Sequence, residues 1–447
     1  MTAAAGTIHP ARSEPGTARR DFHLFDTADG PHLLVVDGSQ IFKLDEDLAR
    51  RLAGASGDGS ARALLAEHGV GLTRFIGDAP LIDPPLRALS LAVAERCNLG
   101  CTYCYAEGGS FGGSPRNMPW EVAQASVHRL FEQAQPGERV NLAFLGGEPL
   151  VNRALIRRAT ELAAGIAQQR AVPIGFSITT NGTLLTPDDG EFFERYGFAV
   201  TVSLDGVGPV HDRLRPTRGG RGSYDKVIAN VRPLLARQRR MQVSARVTVT
   251  PSNLGLRAAL DRFVQLGFHG VGFSPMLSAP TKRGEMQSGD LDVLLAEMIE
   301  CGREFERRTL AGERYPFGNM TTALAEIHRG THRPYPCGAG AGYFGVSASG
   351  GLFSCHRFVE DESAAMGSAQ HGVDRARQRD WLAQRRVDAQ EPCRTCWARY
   401  LCGGGCHYEV IHRGRPACDY IRGWLDYCLG TYVRLSAQRP EMFEPGA

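Results

Sequence analysis

The most informative chemistry in this sequence lies in three cysteines, Cys97, Cys101 and Cys104, whose spacing is C-x3-C-x2-C. Thiolates are soft ligands that proteins use for zinc and for iron–sulfur clusters. A structural zinc site takes four ligands, usually as two pairs, whereas this loop offers three cysteines without a nearby partner pair. Three thiolates fill three corners of a cubane cluster and leave the fourth iron open to a small molecule. The spacing therefore favours an iron–sulfur cluster, with zinc as the alternative.

A second motif lies in the segment Phe144–Pro149, with the sequence FLGGEP, which follows an apolar predicted strand. Two adjacent glycines allow the backbone to approach a ligand closely, and a carboxylate pairs with an ammonium group. Together with the cysteine loop, this motif resembles the radical SAM superfamily. The resemblance implies a [4Fe–4S] cluster on the three cysteines that binds S-adenosylmethionine (SAM). It also implies contacts to the SAM amino group from Gly146, Gly147 and Glu148.

Composition limits the class of protein. At 447 residues and 43% hydrophobic content, the chain is long enough for two or three domains with an ample core. Its net charge of +3 gives no general attraction to nucleic acid or to a membrane. No stretch reaches 18 apolar residues, and residues 1–20 lack the apolar core of a signal peptide. We therefore expect a cytoplasmic protein, in which twelve cysteines indicate metal ligation rather than disulfide bonds.

Composition and hydrophobic pattern divide the chain into five predicted parts. Residues 1–20 are polar and without periodicity, which predicts a disordered tail. Residues 21–86 contain a predicted hairpin and two helices. They resemble the winged-helix-like peptide-recognition element of radical SAM peptide maturases, and a plain packing subdomain is the alternative. The other parts are a radical SAM core at 87–290, connecting helices at 291–335 and a cysteine-rich SPASM domain at 336–447.

The core alternates short apolar strands with amphipathic helices. The predicted strands are 89–94, 140–145, 174–179, 198–204, 242–249 and 271–275. The predicted helices are 119–134, 153–170, 186–196, 223–239 and 255–266. Six such units predict an α/β fold with a parallel sheet, and the radical SAM resemblance implies a partial (β/α)6 TIM barrel. Chemistry in such barrels lies at the carboxyl ends of the strands.

Polar residues near these strand ends are the candidate cofactor and catalytic residues. The resemblance implies SAM contacts from Tyr103, Thr180, Asn181, Ser203 and Arg246. An arginine inside a strand also needs an anionic partner, for which the SAM carboxylate is suited. The candidate general bases are Asp205, Asp212 and His356. A plainer alternative for these residues is a role in a turn, in a solvated loop or in a hydrogen-bonded core, and we predict a flexible, basic loop at 211–216.

The C-terminal part contains a second cysteine pattern, whose last five members have the spacing C-x2-C-x5-C-x3-C-x11-C. Its order resembles the SPASM extension of radical SAM enzymes, which holds auxiliary iron–sulfur clusters. The resemblance implies one closed auxiliary cluster, held by Cys393, Cys396, Cys402 and Cys418. It implies a second, nearer the active site, held by Cys337, Cys355 and Cys406. A zinc ribbon is the alternative for this region taken alone.

The nearer auxiliary cluster lacks an obvious fourth ligand. Its fourth iron is open, held by substrate or ligated from elsewhere, and Cys428 is the candidate ligand. The alternative for Cys428 is a buried position in an apolar helix. Cys301, on another amphipathic helix, is predicted to lie in the core.

The resemblance to radical SAM/SPASM proteins also predicts a function. It implies that a 5′-deoxyadenosyl radical abstracts hydrogen from a substrate and that auxiliary clusters offer a path for an electron that leaves it. We expect a peptide maturase that forms an intramolecular thioether or carbon–carbon crosslink, similar to the enzymes that mature quinohemoprotein amine dehydrogenases. The implied partners are a precursor peptide or small protein and an electron donor such as flavodoxin or ferredoxin. The alternatives are a formylglycine-generating sulfatase maturase, another SPASM dehydrogenase, or a zinc-stabilised peptide-binding module without catalysis.

Overall fold

The N-terminal residues form a small module of three strands and two helices. The computed structural model describes residues 21–444 except 56–57, 73–74, 78 and 331–332, so the predicted tail at 1–20 lies outside the described residues. The module consists of β1 (Phe22–Thr27), β2 (Gly30–Val35), β3 (Gln40–Lys43), α1 (Glu46–Ala53) and α2 (Asp58–Glu67). The predicted hairpin is confirmed as the antiparallel pair β2–β3. Strand β1 is an additional strand that pairs with β2, and its sequence FHLFDT does not alternate strictly.

Apolar residues of this module form a core of their own. Leu33 and Val35 on β2 pack with residues of both helices, among them Leu48, Leu52 and Leu65. Asp45 begins α1 by accepting a hydrogen bond from the Leu48 N–H at 2.7 Å, which satisfies one of the unpaired donors of the first turn. This local core is separate from the large core of the rest of the chain.

Six parallel strands build the centre of the molecule, as predicted. They are β4 (Ala88–Ala94), β5 (Val140–Gly146), β6 (Ile174–Thr180), β7 (Ala199–Ser203), β8 (Gln242–Val249) and β9 (Val271–Pro275). The helices between them are α3 (Trp120–Phe131), α4 (Arg153–Arg170), α5 (Pro187–Tyr196), α6 (Pro209–Leu214), α7 (Tyr224–Arg237) and α8 (Leu256–Leu266). Parallel strands joined by helices place their carboxyl ends at one edge. Helix α6 occupies part of the segment that was predicted as a flexible loop, and that prediction is wrong.

The C-terminal part extends the same sheet. It contains α9 (Ser288–Leu310), α10 (Gly318–His328), β10 (Tyr343–Val346), β11 (Gly351–Phe353), β12 (Ala365–Ser368), β13 (Gly372–Val373), α11 (Arg375–Arg385), α12 (Arg399–Cys402), α13 (His407–Arg413) and α14 (Cys418–Gln438). Strand β10 runs parallel beside β4, and β11, β12 and β13 follow in antiparallel order. The strand order is therefore β13-β12-β11-β10-β4-β5-β6-β7-β8-β9. The sequence pattern did not reveal that these short strands join the barrel sheet.

This continuity brings the two cysteine regions together. After β11 the chain folds back over β10 so closely that a Cβ on Gly345 would lie 2.8 Å from the Cys355 carbonyl carbon. Gly345 pairs in turn with Ser90 on β4, the strand that leads into the first cysteine loop. Only glycine fits such an approach. Cys355 is thereby held beside the barrel.

Long helices cover the side of the barrel near β9. Helix α14 packs against α9 and α10, and Cys301 of α9 is fully buried there, as predicted. None of the helices in the described part of the chain is both long and apolar enough to cross a membrane.

Candidate active site

The first cysteine loop follows β4 and is tied to a distant segment. The backbone N–H groups of Gly100 and Thr102 donate to the carbonyls of Pro216 at 2.8 Å and Leu214 at 3.2 Å. These bonds connect the loop Cys97–Cys104 to the end of α6. The loop is therefore shaped by the fold around it as well as by its own sequence.

The three thiols of this loop lie close enough to interact. Burial raises the pKa of Cys101 to about 12 and also raises that of Cys97, and the charge of Cys104 adds to both shifts. Buried thiols resist ionisation unless a metal stabilises the thiolate. Three interacting sulfurs without a fourth ligand on the loop suit a cubane cluster with one open iron, so the donor set fits the predicted cluster.

The two glycines of the GGEP segment are required by close backbone packing. A Cβ on Gly146, whose φ is 153°, would lie 2.3 Å from the Ala94 carbonyl oxygen. A Cβ on Gly147 would lie 2.4 Å from the Arg96 carbonyl oxygen. The end of β5 can thus lie directly against the chain that enters the cysteine loop. The glycines therefore keep the predicted SAM-binding turn beside the predicted cluster.

Glu148 joins the ends of β5 and β6. Its Oε1 accepts hydrogen bonds from Leu150 N–H at 3.0 Å and Thr180 Oγ1 at 2.7 Å, and its Oε2 accepts one from Asn181 N–H at 2.7 Å. Burial raises the pKa of this carboxyl to about 6, against the lowering effect of these donors. The Glu148 side chain is fully buried, and all three of these donors come from the protein. Contact of Glu148 with the SAM ammonium stays a prediction.

Asn181 is directed at the cysteine loop. Its Nδ2 donates to Asn98 Oδ1 at 2.9 Å and lies 3.6 Å from Cys97 Sγ, while its Oδ1 accepts two hydrogen bonds from Thr183. A side-chain amide has two donor hydrogens and two acceptor lone pairs, and all four are used here. Contact of the Asn181 side chain with SAM stays a prediction.

Tyr103 and Asp205 form a buried network with an arginine that the sequence reasoning did not select. The Tyr103 hydroxyl donates to Asp205 Oδ2, which also pairs with Arg215 Nε at 2.7 Å. Asp205 Oδ1 accepts a hydrogen bond from Thr248 N–H at 2.8 Å. Arg215 Nη1 lies 3.8 Å from Cys101 Sγ and so brings a positive charge to the cysteine loop. Both oxygens of the Asp205 carboxylate accept hydrogen bonds within the fold, and its role as a general base stays a prediction.

Asp212 has a structural role at the start of α7. Its Oδ1 accepts hydrogen bonds from the N–H groups of Ser223 at 2.7 Å and Tyr224 at 2.8 Å. The first N–H groups of a helix have no partner within the helix, and Asp212 supplies one. The role of Asp212 as a general base stays a prediction.

Arg246 lines the interior of the barrel. It pairs in register with Ser203 on β7, and its Nη2 donates to Ser274 Oγ. Burial lowers the pKa of Arg246, and the charge of Glu409 on α13 opposes that shift. Protein surrounds the Arg246 guanidinium, yet the residue keeps a surface that solvent can reach. This combination is expected of a side chain that borders an internal space. The cation is available to a ligand in that space.

His356 belongs to a hydrogen-bonded chain between the C-terminal part and the barrel. The Tyr343 hydroxyl lies 2.7 Å from His356 Nδ1 and 2.7 Å from Ser90 Oγ. Burial lowers the pKa of His356 to about 4, and the charges of Arg357 and Arg246 contribute. The imidazole is therefore neutral at neutral pH.

Tyr105 lies between the two cysteine regions. Its ring meets His356 edge to face, with a centroid distance of 6.2 Å. Burial raises the pKa of Tyr105, and the charges of Cys104 and Cys355 raise it further, so the ring is close to a thiol from each region. We call the region around Tyr105, His356 and Arg246 the chamber. The sequence carried only a weak signal for Tyr105, an aromatic residue directly after the third cysteine.

Arg357, which the sequence analysis also missed, connects the wall of the chamber to the barrel. Its Nη1 pairs with Glu409 at 2.8 Å and lies 3.9 Å from Cys406 Sγ, and its Nη2 donates to the Ser278 carbonyl at 3.0 Å. Its Nε is buried without a hydrogen-bond partner in the described part of the chain. A buried orphan donor beside a cysteine is consistent with a group that occupies the adjacent space.

Comparison with known families decides the class of this protein. Residues 91–272, which contain the cysteine loop, the GGEP segment and β4 to β8, match the Radical SAM superfamily. The chain is an enzyme with a radical SAM domain. Its cofactors are accordingly a [4Fe–4S] cluster and SAM. The predicted α/β fold with a radical SAM core is confirmed.

Several relatives of this radical SAM enzyme are sulfatase-maturating enzymes by name. The serine-type anaerobic sulfatase-maturating enzyme of Klebsiella aerogenes is 26% identical over 366 residues, which cover 78% of this chain and 86% of that enzyme. A cysteine-type enzyme of Clostridium novyi (strain NT) is 32% identical over 160 residues, 33% of this chain and 41% of that enzyme. The solved structure of native anSMEcpe with bound AdoMet (SAM) has a TM-score of 0.66 at 19% identity, and covers 79% of this chain and 100% of that one.

Three C-terminal cysteines of the enzyme influence one another's pKa. Burial raises the pKa of Cys355 to about 12, and the charges of Cys406 and Cys337 add to the shift. Burial likewise raises the pKa of Cys337, with Cys406 contributing. Three interacting sulfurs fit the ligand set predicted for the nearer auxiliary cluster.

Cys428 lies elsewhere, in the helical core. Its Sγ is 3.9 Å from Met320 Sδ, between α14 and α10, and the residue is fully buried. Burial raises the pKa of its thiol far above the usual range. This placement agrees with the alternative of a buried position in an apolar helix, and ligation of the nearer auxiliary cluster by Cys428 stays a prediction.

The other four C-terminal cysteines border one cavity. Cys393, Cys396, Cys402 and Cys418 all line it, together with Cys406. Hence the four ligands predicted for the closed auxiliary cluster surround a common space, which the residue spacing alone could not show. This donor set fits a cluster with four protein ligands, and the ligation stays a prediction.

A glycine turn directs backbone donors into this cavity. Gly403, Gly404 and Gly405 have φ angles of 70°, 96° and 82°, in the region that favours glycine. Burial raises the pKa of Cys402, and the N–H groups of Gly404 and Gly405 act against that shift. Hydrogen bonds from such N–H groups stabilise cluster thiolates.

Proposed function

We propose that this radical SAM enzyme is a peptide maturase that removes two hydrogens from a peptide or small protein and forms an intramolecular crosslink. The observation that carries the proposal is the position of Tyr105, which lies close to Cys104 of the first cysteine region and Cys355 of the second. When bound, the cluster and SAM supply a 5′-deoxyadenosyl radical that abstracts a hydrogen atom. The oxidation is completed when the substrate loses its second hydrogen, as a proton and one electron. A chamber next to both cysteine regions suits both the hydrogen abstraction and the electron loss.

The chamber walls offer charges of both signs for a peptide. Arg246 provides an accessible guanidinium, and Glu409 provides a carboxylate that is already paired with Arg357 at 2.8 Å. Polar groups on concave surfaces fix the orientation of a ligand. We infer that Arg246 binds a carbonyl or carboxylate of the substrate or of SAM, while the Arg357–Glu409 pair keeps the C-terminal wall against the barrel.

His356 is the predicted general base that the geometry favours. The carboxylates of Asp205 and Asp212 are held by donors within the fold, whereas His356 borders the chamber. Its Nδ1 is bonded to Tyr343, which continues to Ser90. A general base must lie within reach of the proton that it accepts, and His356 meets this condition for a residue bound in the chamber.

The three-cysteine site supports crosslinking among the possible products. Cys337, Cys355 and Cys406 interact there, and Cys428 lies apart in the helical core. A site with three protein sulfurs has room for an exchangeable ligand, and a substrate thiol is a suitable one. A thioether is the product that such a thiol would form.

Formylglycine formation is the second candidate, because relatives that align with more than three quarters of this chain bear the name of serine-type sulfatase-maturating enzymes. About a fifth of the chain lies outside the alignment with anSMEcpe. That additional part is consistent with a different peptide substrate.

A product assay tests the proposal. The enzyme, reconstituted anaerobically with iron and sulfide, is incubated with SAM, with dithionite or reduced flavodoxin, and with peptides encoded beside its gene. The Cp18Cys peptide, which is bound in one anSMEcpe structure, serves as the probe for the second candidate. Crosslinking predicts a mass loss of two hydrogens, a new linkage in tandem mass spectra and no reaction with hydroxylamine.

Three other outcomes are informative. An aldehyde that hydroxylamine captures would replace the crosslink by formylglycine. Oxidation of a serine or another residue without a linkage or an aldehyde would indicate a different dehydrogenase. A protein that holds zinc without iron and does not cleave SAM would overturn the catalytic proposal altogether.

A further inference from the structure

Three side chains beside the first cysteine loop form a closed ring of hydrogen bonds. Asn98 Nδ2 donates to Thr183 Oγ1 at 2.7 Å, and Thr183 Oγ1 donates to Asn181 Oδ1 at 2.6 Å. Asn181 Nδ2 completes the ring by donating to Asn98 Oδ1 at 2.9 Å. All donors point the same way around the ring, so each bond polarises the next. We refer to these three residues as the amide ring.

The amide ring fixes where one remaining hydrogen points. Asn181 Nδ2 carries two hydrogens, and the ring uses one of them. The nitrogen lies 3.6 Å from Cys97 Sγ, within the longer range of hydrogen bonds to sulfur. The backbone of Asn181 is held as well, because its N–H donates to Glu148 at 2.7 Å. Asn181 and Thr183 are both buried, so water does not compete for these bonds.

We propose that the amide ring is a positioning device that aims an amide N–H at the Cys97 sulfur and thereby raises the reduction potential of the cluster held there. Hydrogen bonds to ligand sulfurs favour the reduced cluster, because it carries one more negative charge. The inference rests on the proposed ligation of the cluster by Cys97. According to this inference, Asn98, Asn181 and Thr183 affect the electron transfer to SAM but do not contact SAM directly.

Three variants distinguish the N–H that faces Cys97 from the ring of hydrogen bonds that orients it. Asn181→Leu has a similar size and lacks the N–H that faces Cys97. Thr183→Val keeps that amide but breaks the ring that orients it. Thr183→Ser keeps the hydroxyl and the ring, and is the matched control.

The readout is the midpoint potential of the cluster whose electron paramagnetic resonance signal changes when SAM is added. In Asn181→Leu the ratio of reduced to oxidised cluster at a fixed potential is expected to fall about tenfold, which corresponds to about 59 mV for a one-electron couple. Thr183→Val is expected to shift in the same direction by less, and Thr183→Ser to match the unaltered protein. The dissociation constant for SAM is expected to stay within about twofold in all three variants.

Two results would overturn the inference. The first is an unchanged midpoint potential in Asn181→Leu with full iron content. The second is a dissociation constant for SAM that rises tenfold or more at an unchanged potential, which would make Asn181 a SAM contact. If Asn181→Leu does not take up iron, Thr183→Val, which leaves the donor beside Cys97 in place, decides the question by the same criteria.

Failure of the underlying ligation is recognised separately. Cys97→Ala must remove the SAM-responsive signal. If the SAM-responsive signal persisted in Cys97→Ala, the proposed ligation by Cys97 would be wrong. If the signal disappeared in Cys97→Ala but the midpoint potential of the ring variants did not shift, only the role of the amide ring would be rejected.

Discussion

The two cysteine regions of this enzyme hold their sulfurs by different means. In the barrel, side chains at neighbouring strand ends bond to each other, as Glu148 does with Thr180. In the C-terminal part, strands are two to four residues long, and arginines reach across to carbonyl groups. Arg399 donates to the Cys396 carbonyl at 3.0 Å and Arg333 to the Leu401 carbonyl at 2.5 Å. A regular sheet thus positions the first region, and long side chains position the second.

This difference predicts that the two regions lose function separately. Cys97→Ala is expected to abolish SAM cleavage and to remove about four iron atoms per chain, one cubane cluster. Cys393→Ala is expected to remove a similar amount of iron and to leave reductive cleavage of SAM in the absence of peptide. Iron analysis and the release of 5′-deoxyadenosine measure both effects. Loss of SAM cleavage in Cys393→Ala would mean that the two regions depend on each other.

A buried ion pair supports the barrel site, and breaking it should have the largest effect on stability. Asp205→Ala leaves Arg215, which is mostly buried, without its partner at 2.7 Å, and the expected cost is about 3–5 kcal/mol in the free energy of unfolding. Glu191→Ala, which breaks an exposed pair with Arg237, is the control and should cost less than about 1 kcal/mol. Denaturant titration compares them. Equal costs would contradict a special role for the barrel network.

The pH dependence of SAM binding sharpens the description of the barrel site. Burial raises the pKa of Glu148 to about 6. If Glu148 pairs with the SAM ammonium, as we predict, the charge that it contributes is lost as pH falls below that value. The dissociation constant for SAM is expected to be about tenfold larger at pH 5 than at pH 7, which means weaker binding at the lower pH. Glu148→Gln should bind weakly with no such dependence. Equilibrium dialysis tests both, and a flat profile in the unaltered protein would contradict the contact.

The raised pKa of Glu148 also affects folding, but there the protein is more stable at low pH than at high pH. Because the pKa of Glu148 is raised above its usual 4.5, the ionised form is the costly one in the folded protein. The free energy of unfolding should therefore fall by about 2 kcal/mol as pH rises from about 3.5 to 7. Glu148→Gln should lack this contribution in denaturant titrations across that range.

The smallest expected effect distinguishes two C-terminal cysteines. Cys428→Ala removes a sulfur from the α10–α14 contact and should cost about 1–2 kcal/mol in the free energy of unfolding, with unchanged iron content. Cys406→Ala should lower the iron content, because this thiol interacts with Cys337 and Cys355. Iron loss in Cys428→Ala would show that Cys428 is a ligand.

Periodicity and spacing by themselves determined much of this protein. The six parallel strands follow from apolar runs that alternate with amphipathic helices, since a strand covered on both faces must be apolar along its length. The cysteine loop and the GGEP segment predicted the enzyme class, because these residue types at these spacings suit one chemistry. The sequence also directed attention to Glu148 and the two glycines beside it, although their partners Ala94, Arg96 and Thr180 lie in other segments.

Only the tertiary structure decided which polar groups are free and which are occupied. Asn181, Asp205 and Asp212 looked available in the sequence, yet their hydrogen-bond partners come from other elements of the fold. Arg215 and Arg357 gained roles for the same reason, because a long guanidinium side chain can reach a cysteine that is distant in the sequence. The placement of Cys355 beside the barrel depends on the pairing of β10 with β4, a contact between distant segments. Such contacts arise from packing, which leaves no periodic signal in the chain.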